Sequence, residues 1–248
     1  MNHSAGEAEV GLAPGLYVVS TPIGNLGDMT RRAVDVLRAV DLVACEDTRH
    51  SGLLLQHFQI RNRLTSYHEY NKVSRTPELI ERLQQGGRIA LITDAGTPGI
   101  SDPGFYLIRA AVRAGIVVIP VPGASALLAG LVISGLPSDR FAFEGFLPKR
   151  EGRRRKRLAA LKGEERTTVY CESARRVKRL LEEMLELWGD REVVVCRELT
   201  KRFEEVLRGK VTDVLAKIGD RELKGETVVV VAGAGGEDDE GIDEAAGT

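Results

Sequence analysis

Residues 91–104 read LITDAGTPGISDPG, with three glycines, two prolines and two aspartates behind a short apolar run and no lysine or arginine. Glycine lets main-chain groups approach a flat ligand closely. The loop lacks the Gly-Lys-Ser/Thr ending of a P-loop and the GxGxxG spacing of a dinucleotide fold. Asp94 directly follows the apolar run, where its carboxylate would repel a pyrophosphate but accept hydrogen bonds from ribose hydroxyls or an ammonium group. A cationic or zwitterionic nucleoside suits such a loop better than a nucleotide does. S-adenosylmethionine, with adenine, ribose, sulfonium, amine and carboxylate, is the expected ligand.

A second chemistry-bearing stretch is PKREGRRRKR, residues 148–157, which holds seven basic residues (Lys149, Arg150, Arg153, Arg154, Arg155, Lys156 and Arg157) and one acid. Read as a mobile loop, it would grip phosphates without reading sequence. Arg49 in EDTR and Lys201 in ELTK would extend that track, and Tyr67 and Tyr70 in SYHEYN would stack a splayed base. Candidate proton acceptors are Glu46, Asp47, His68, Glu69, Glu172 and Glu198, of which His68 has the most suitable ordinary pKa. Lys201 or Arg197 would stabilise a developing alkoxide. His68, Glu198 and Lys201 are the leading catalytic candidates. Cys45, Cys171 and Cys196 stand far apart with no CxxC or Cys/His spacing, so the sequence suggests neither disulfides nor a metal site.

The elements that would position these residues follow from periodicity. GLYVVS, DLVAC, RIALIT and IVVIPV read as buried strands, each running into a loop. RRAVDVLRAV puts Ala33, Val34, Leu37 and Val40 on one helical face, and a helix capped by Asp102 with Pro103 in its first turn is expected to run to Gly115. Strands alternating with helices predict a mainly parallel α/β sheet over residues 14–134. SGLPSD at 134–139 marks the expected boundary. FAFEGF, TTVYC, REVVVC, EEVLRGK and ETVVVVAG then predict a second, mixed sheet over 139–233. Its best helix carries Val177, Leu180, Leu181, Met184, Leu185 and Trp188 on one face and stops at Gly189.

The chain has 248 residues and a formal net charge of −1, distributed unevenly. Setting aside the six acids of EDDEGIDE (237–244), Glu7 and Glu9 leaves +7 over residues 11–236, a balance compatible with a polyanionic partner. Residues 1–13 and 234–248 read as disordered tails, without the features of a signal peptide. Residues 114–138 carry no charge, but Pro120, Pro122 and Gly123 divide them into a strand, a turn and a helix, so no membrane span is expected.

The sequence resembles the ribosomal small-subunit RNA methyltransferase I family, a branch of the tetrapyrrole methylases. The resemblance runs from GLYVVSTPIGNLGDMT through EDTRHSGLLL, SYHEYN, DAGTPGISDPG, VPGASA, FEGFLPKR, YCESARRV and RELTKRFEE to KGETVVVVAG. It implies two α/β domains with the cofactor in the cleft between them, a cytoplasmic homodimer, and methyl transfer from S-adenosylmethionine to the ribose 2′-oxygen of a cytidine in the decoding centre. It also implies that Pro22, Ile23, Asp94, Ala95, Gly96, Thr97, Ser125, Ala126, Tyr170, Leu199 and Thr227 meet the cofactor. The basic run would then overhang that cleft. Many family members continue into a small helical module where this sequence carries its acidic stretch, so any RNA contact of that module would be made elsewhere or not at all. The rival readings are a tetrapyrrole C-methyltransferase and a non-catalytic RNA-binding assembly factor.

Overall fold

The computed structural model describes residues 11–235, so the expected tails fall largely outside the described residues. The chain divides into two compact units, one ending at Ser125 and the other starting at Ala126.

The first unit contains β1 (Gly15–Val19), α1 (Arg31–Ala39), β2 (Leu42–Cys45), α2 (Thr48–His57), β3 (Leu64–Ser66), α3 (Lys72–Gln84), β4 (Arg88–Leu91), α4 (Gly104–Arg113) and β5 (Val118–Val121). Its sheet has the order β3-β2-β4-β1-β5 with every pairing parallel. Both faces are covered, so the central strands are apolar throughout and not alternating. Tyr17, Val19, Val43, Cys45 and Ala90 pack with Ala33, Val36 and Leu37 of α1. Leu16, Leu42, Ala44, Ile89 and Leu91 pack with Leu79 and Leu83 of α3 and with Leu107 of α4. The carboxyl ends of all five strands therefore gather on one edge, where ligands of open α/β sheets bind.

Two local differences from expectation have plain causes. β3 is three half-buried residues, LTS, without an apolar run to announce it. α4 begins at Gly104 with Pro103, not the expected Asp102, at its N-cap position; the Asp102 carboxylate instead takes the Gly104 N–H at 2.7 Å and the Gly99 N–H at 2.9 Å, closing the preceding loop.

The second unit contains α5 (Ala126–Ser134), β6 (Phe141–Phe146), α6 (Glu151–Ala160), β7 (Thr167–Ser173), α7 (Ala174–Trp188), β8 (Glu192–Arg197), β9 (Glu205–Lys210), α8 (Val211–Ile218) and β10 (Glu226–Val231). The sheet order is β6-β7-β10-β8-β9; β6 and β7 are parallel and the other pairs antiparallel. α7 buries Val177, Leu180, Leu181, Met184 and Trp188 against one sheet face, with Leu185 packed beside them, and Gly189 stops it at φ 84°. α5 covers the other face closely, since a Cβ on Gly130 would meet Val228 at 2.8 Å. That packing assigns residues 126–134, expected in the first domain, to the second unit. Among the described residues no helix is long and apolar enough to cross a membrane.

The basic run is not a mobile loop. Residues 151–160 form α6, anchored by buried Leu158 and Arg154. Arg154, 5% exposed, donates from Nε and Nη2 to the two oxygens of Glu183 on α7 at 2.6 Å each. Arg155 donates from Nη1 and Nη2 to the two oxygens of Glu186, and Arg157 from Nε and Nη2 to those of Glu144 on β6 at 2.8 Å each.

Candidate active site

Three strand-end loops of the first unit are laced together. Thr21 and Gly96 exchange main-chain hydrogen bonds, at 2.9 and 3.1 Å, tying the β1 loop to the β4 loop. The Thr21 hydroxyl donates to the Thr93 carbonyl at 3.0 Å. The Ser20 and Thr97 hydroxyls are 2.9 Å apart, and Thr97 donates to the Ala124 carbonyl at 3.3 Å, adding the β5 loop. Gly96 sits at φ +84°, a left-handed conformation that costs other residues about 1–2 kcal/mol. A Cβ on Gly123 would come within 2.9 Å of the Ser20 Cβ, so this approach also needs glycine.

This lacing brings Pro22, Ile23, Asp94, Ala95, Gly96, Thr97 and Ser125 to one edge of the first unit. Pro22, Ile23 and Gly96 are buried; Asp94 and Ala95 are exposed. The Asp94 carboxylate accepts one long bond, from the Asp47 N–H at 3.4 Å, which leaves acceptor capacity for a ligand. Beside it, the Glu46 carboxyl accepts the Thr93 hydroxyl. Burial pushes the Glu46 pKa up against that hydrogen bond, and the nearby charges of Asp102 and Asp94 push the same way.

Ala126, Tyr170, Leu199 and Thr227 belong to the second unit. Tyr170 is fully buried in the core with its ring 6.5 Å from that of Trp188, and its hydroxyl is buried without a hydrogen-bond partner among the described residues. The Thr227 hydroxyl is spent on the Glu172 carbonyl at 2.6 Å, and Leu199 is buried.

The chain is similar to known proteins in sequence and in fold. The model of the family described as tetrapyrrole (corrin/porphyrin) methylases matches residues 15–215. The chain is 51% identical over 224 residues to "Ribosomal RNA small subunit methyltransferase I" of Synechocystis sp., covering 90% of this chain and 80% of that protein. The identity to the protein of the same name from Escherichia coli O157:H7 is 49%, over 88% of this chain and 77% of the relative. The chain belongs to the ribosomal RNA small subunit methyltransferase I family, among the tetrapyrrole methylases. Two solved structures share its fold. Uroporphyrin-III-C-methyltransferase from Thermus thermophilus has a TM-score of 0.62 at 23% identity, over 88% of this chain and 94% of that one. A cobalt precorrin-4 methyltransferase has a TM-score of 0.61 at 16% identity, over the same shares.

Of the candidate catalytic residues, His68 belongs to the first unit and Glu198 and Lys201 to the second. His68 follows β3; its Nε2 lies 3.3 Å from the Asn71 amide nitrogen, and its Nδ1 is buried without a partner. Glu198 and Lys201 lie after β8, and the Lys201 ammonium is held 3.0 Å from both Glu198 and Glu226. Burial opposes ionisation of Glu198, but the Glu226 N–H and Lys201 outweigh it and hold its pKa below the usual carboxylate range. Arg197 is likewise engaged, with Glu205 at 3.0 Å. Asp47 is pulled down to about 2 by its hydrogen bonds to Arg49, so the Arg49 guanidinium already carries a carboxylate. Glu172 is buried and paired with Arg176, and Glu69 is paired with Lys72. Among the described residues no group of three or more His, Cys, Asp and Glu is placed to hold a metal ion.

The two tyrosines of SYHEYN differ sharply. Tyr67 is buried with its hydroxyl 2.9 Å from that of Thr76, which corrects its expected role as a stacking surface. Tyr70 is 96% exposed. In the basic run, Lys149, Arg150, Arg153 and Lys156 are exposed and make no ion pair among the described residues, while Arg154, Arg155 and Arg157 are committed to glutamates. Sequence reasoning missed the exposed Arg202–Phe203 pair after β8, whose only signal was one aromatic inside a charged run, TKRFEE.

Proposed function

We propose that this protein methylates the ribose 2′-oxygen of a cytidine in the decoding centre of small-subunit ribosomal RNA, as a cytoplasmic homodimer. S-adenosyl-L-methionine is the methyl donor. The observation that carries the reading is the 49–51% identity, across 77–80% of their lengths, to proteins named for small-subunit ribosomal RNA methylation. The solved tetrapyrrole C-methyltransferases, at 16–23% identity, support the fold alone. Exposed apolar side chains such as Phe105 and Val112 on α4 are consistent with self-association.

The loop residues suit this cofactor on their own chemistry. The β4 loop has no cation and presents an exposed carboxylate, and glycine at 96 brings main chain close to whatever lies over it. Main-chain groups of Pro22, Ile23, Ala95, Gly96, Thr97, Ser125 and Ala126 would hold the ligand, with Asp94 accepting from its hydroxyls or ammonium and Tyr170, Leu199 and Thr227 contributing from the second unit. When bound, the cofactor supplies an electrophilic methyl group on a sulfonium. The protein must align the acceptor oxygen, keep water out and receive the hydroxyl proton. Of the candidate acceptors, Glu46 and His68 are the better supported: the first has a raised pKa and the second an open ring nitrogen. Glu198 is a weaker base because Lys201 stabilises its ionised form, and that pairing also reduces what Lys201 can offer an alkoxide.

Calorimetry with S-adenosylmethionine should detect binding, and Asp94→Asn should weaken it by about 1–3 kcal/mol, the range for losing a charged hydrogen-bond acceptor. Absence of heat, or tight binding of a dinucleotide instead, would overturn the reading. Binding by the parent also separates it from a non-catalytic assembly factor.

A further inference from the structure

We propose that the loop joining β8 to β9, residues 198–204, is a built contact for single-stranded RNA, in which Phe203 stacks an unpaired nucleobase and Arg202 holds an adjacent phosphate. This rests on the RNA reading above and adds residues to it.

The loop is held far more tightly than a hairpin connection requires. Glu198 and Thr200 are left-handed at φ 51° and 67°, an uncommon conformation for any residue but glycine and an outlier for a β-branched one. Such strain persists only where the surroundings impose it, and it clusters at functional sites. Here the restraints are visible. The Glu198 N–H donates to the Glu226 carbonyl, and the Glu226 N–H donates to the Glu198 carboxylate at 3.0 Å. Lys201 bridges both carboxylates at 3.0 Å, and the Thr200 N–H donates to Glu204 at 2.6 Å. Leu199 is buried beneath, and the Thr200 hydroxyl is buried without a partner. Gly225 leaves room for the Glu198 carboxylate, which would lie 2.3 Å from a Cβ at that position.

All this order presents two side chains outward. Phe203 is 65% exposed, and the Arg202 guanidinium carbon lies 5.5 Å from its ring centroid. The surrounding acids are already committed. Glu198 and Glu226 hold Lys201, Glu204 takes a main-chain N–H, and Glu205 pairs with Arg197 and Arg221. Arg202 has no ion-pair partner among the described residues. A single exposed phenylalanine is ordinary on a protein surface. One on a strained, braced loop, beside a guanidinium that carries no carboxylate among the described residues, matches the aromatic-plus-arginine surface that takes unstacked bases and their phosphates. Stacking of this kind tolerates any base.

The test uses Phe203→Trp, Phe203→Ala and Arg202→Ala in the full chain, with a short single-stranded oligocytidylate as probe. Trp188 is buried and provides a constant background. The oligonucleotide should quench the emission of the introduced tryptophan. Phe203→Ala should weaken RNA binding by roughly 5- to 150-fold, and Arg202→Ala should flatten the slope of log affinity against log salt by about 0.7. Cofactor affinity should be unchanged in both. No quenching together with unaltered affinity in Phe203→Ala would overturn the proposal. So would emission that shifts with protein concentration alone, which would make the loop a contact between copies of the chain. If the probe quenches but the parent methylates no small-subunit RNA, the functional reading fails and the loop's assignment stands.

Discussion

Replacing Arg154 by alanine should destabilise the second unit by about 3–5 kcal/mol, the range for stripping one partner from a buried, hydrogen-bonded ion pair. Arg154 and Glu183 are both nearly inaccessible and joined by two 2.6 Å bonds, so the variant leaves a buried carboxylate with only Arg179 at 3.3 Å. Thermal unfolding should show a fall on the order of 10 °C. Arg153→Ala, one position away on the solvent side, should change stability by less than about 0.5 kcal/mol. The effect carries a pH signature. The hydrogen bonds from Arg154 hold the Glu183 carboxyl below its usual range, against the opposing effect of burial. A depressed pKa contributes stability fully above the unfolded value near ~4.3 and loses it as pH falls through the folded value. The gap between parent and Arg154→Ala should therefore narrow below about pH 4. Replacing both partners by apolar residues, Arg154→Met with Glu183→Leu, should recover most of the loss. A Tm within 2 °C of the parent for Arg154→Ala would contradict the clamped helix.

Removing the four cations that lead into and line α6 and make no ion pair among the described residues, by Lys149→Ala, Arg150→Ala, Arg153→Ala and Lys156→Ala together, should have the largest effect on RNA. Each phosphate contact to a single strand contributes about 0.7 to the slope of log affinity against log salt, so the slope should flatten by up to about 3. At physiological salt that corresponds to a loss on the order of 100-fold in affinity. Arg155→Ala and Arg157→Ala should leave the slope nearly unchanged, because each of those guanidinium groups is already forked onto a glutamate. Cofactor affinity should survive the four changes. An unaltered salt slope in the fourfold variant would make this face of α6 a solvated surface and nothing more.

The contrast within one basic run marks where sequence was readable. Seven cations in nine positions announced a charged segment, but not its helix. An amphipathic helix is recognised by its apolar stripe, and here one inward position is an arginine neutralised by Glu183, 29 residues away. No local pattern contains that partner. The β4 loop was legible because backbone geometry demands two of its glycines: Gly96 and Gly99 adopt positive φ in the loop that follows a buried strand. The parallel first sheet followed from strand–helix alternation, although β3, short and polar, left no trace. α5 is apolar nearly all round and uncharged, so nothing local said which sheet it covers; the close fit of Gly130 on Val228 is a tertiary fact. Tyr67 and Tyr70, three positions apart, looked equivalent until Thr76 was seen to hold one of them inside. For Lys201, Glu198 was near enough in sequence to suggest a local pair, but Glu226 was not.

The central claim is methyl transfer to a ribose of small-subunit RNA. It is tested most directly by incubating the protein with small ribosomal subunits and S-adenosylmethionine carrying an isotopically labelled methyl group, then digesting the RNA to nucleosides for mass spectrometry. The account predicts label in 2′-O-methylcytidine, and almost none when free cytidine replaces the subunits, because binding energy from remote phosphates is needed to align the 2′-oxygen. Label on a base, label on no nucleoside, or free cytidine methylated as fast as the subunits would contradict it.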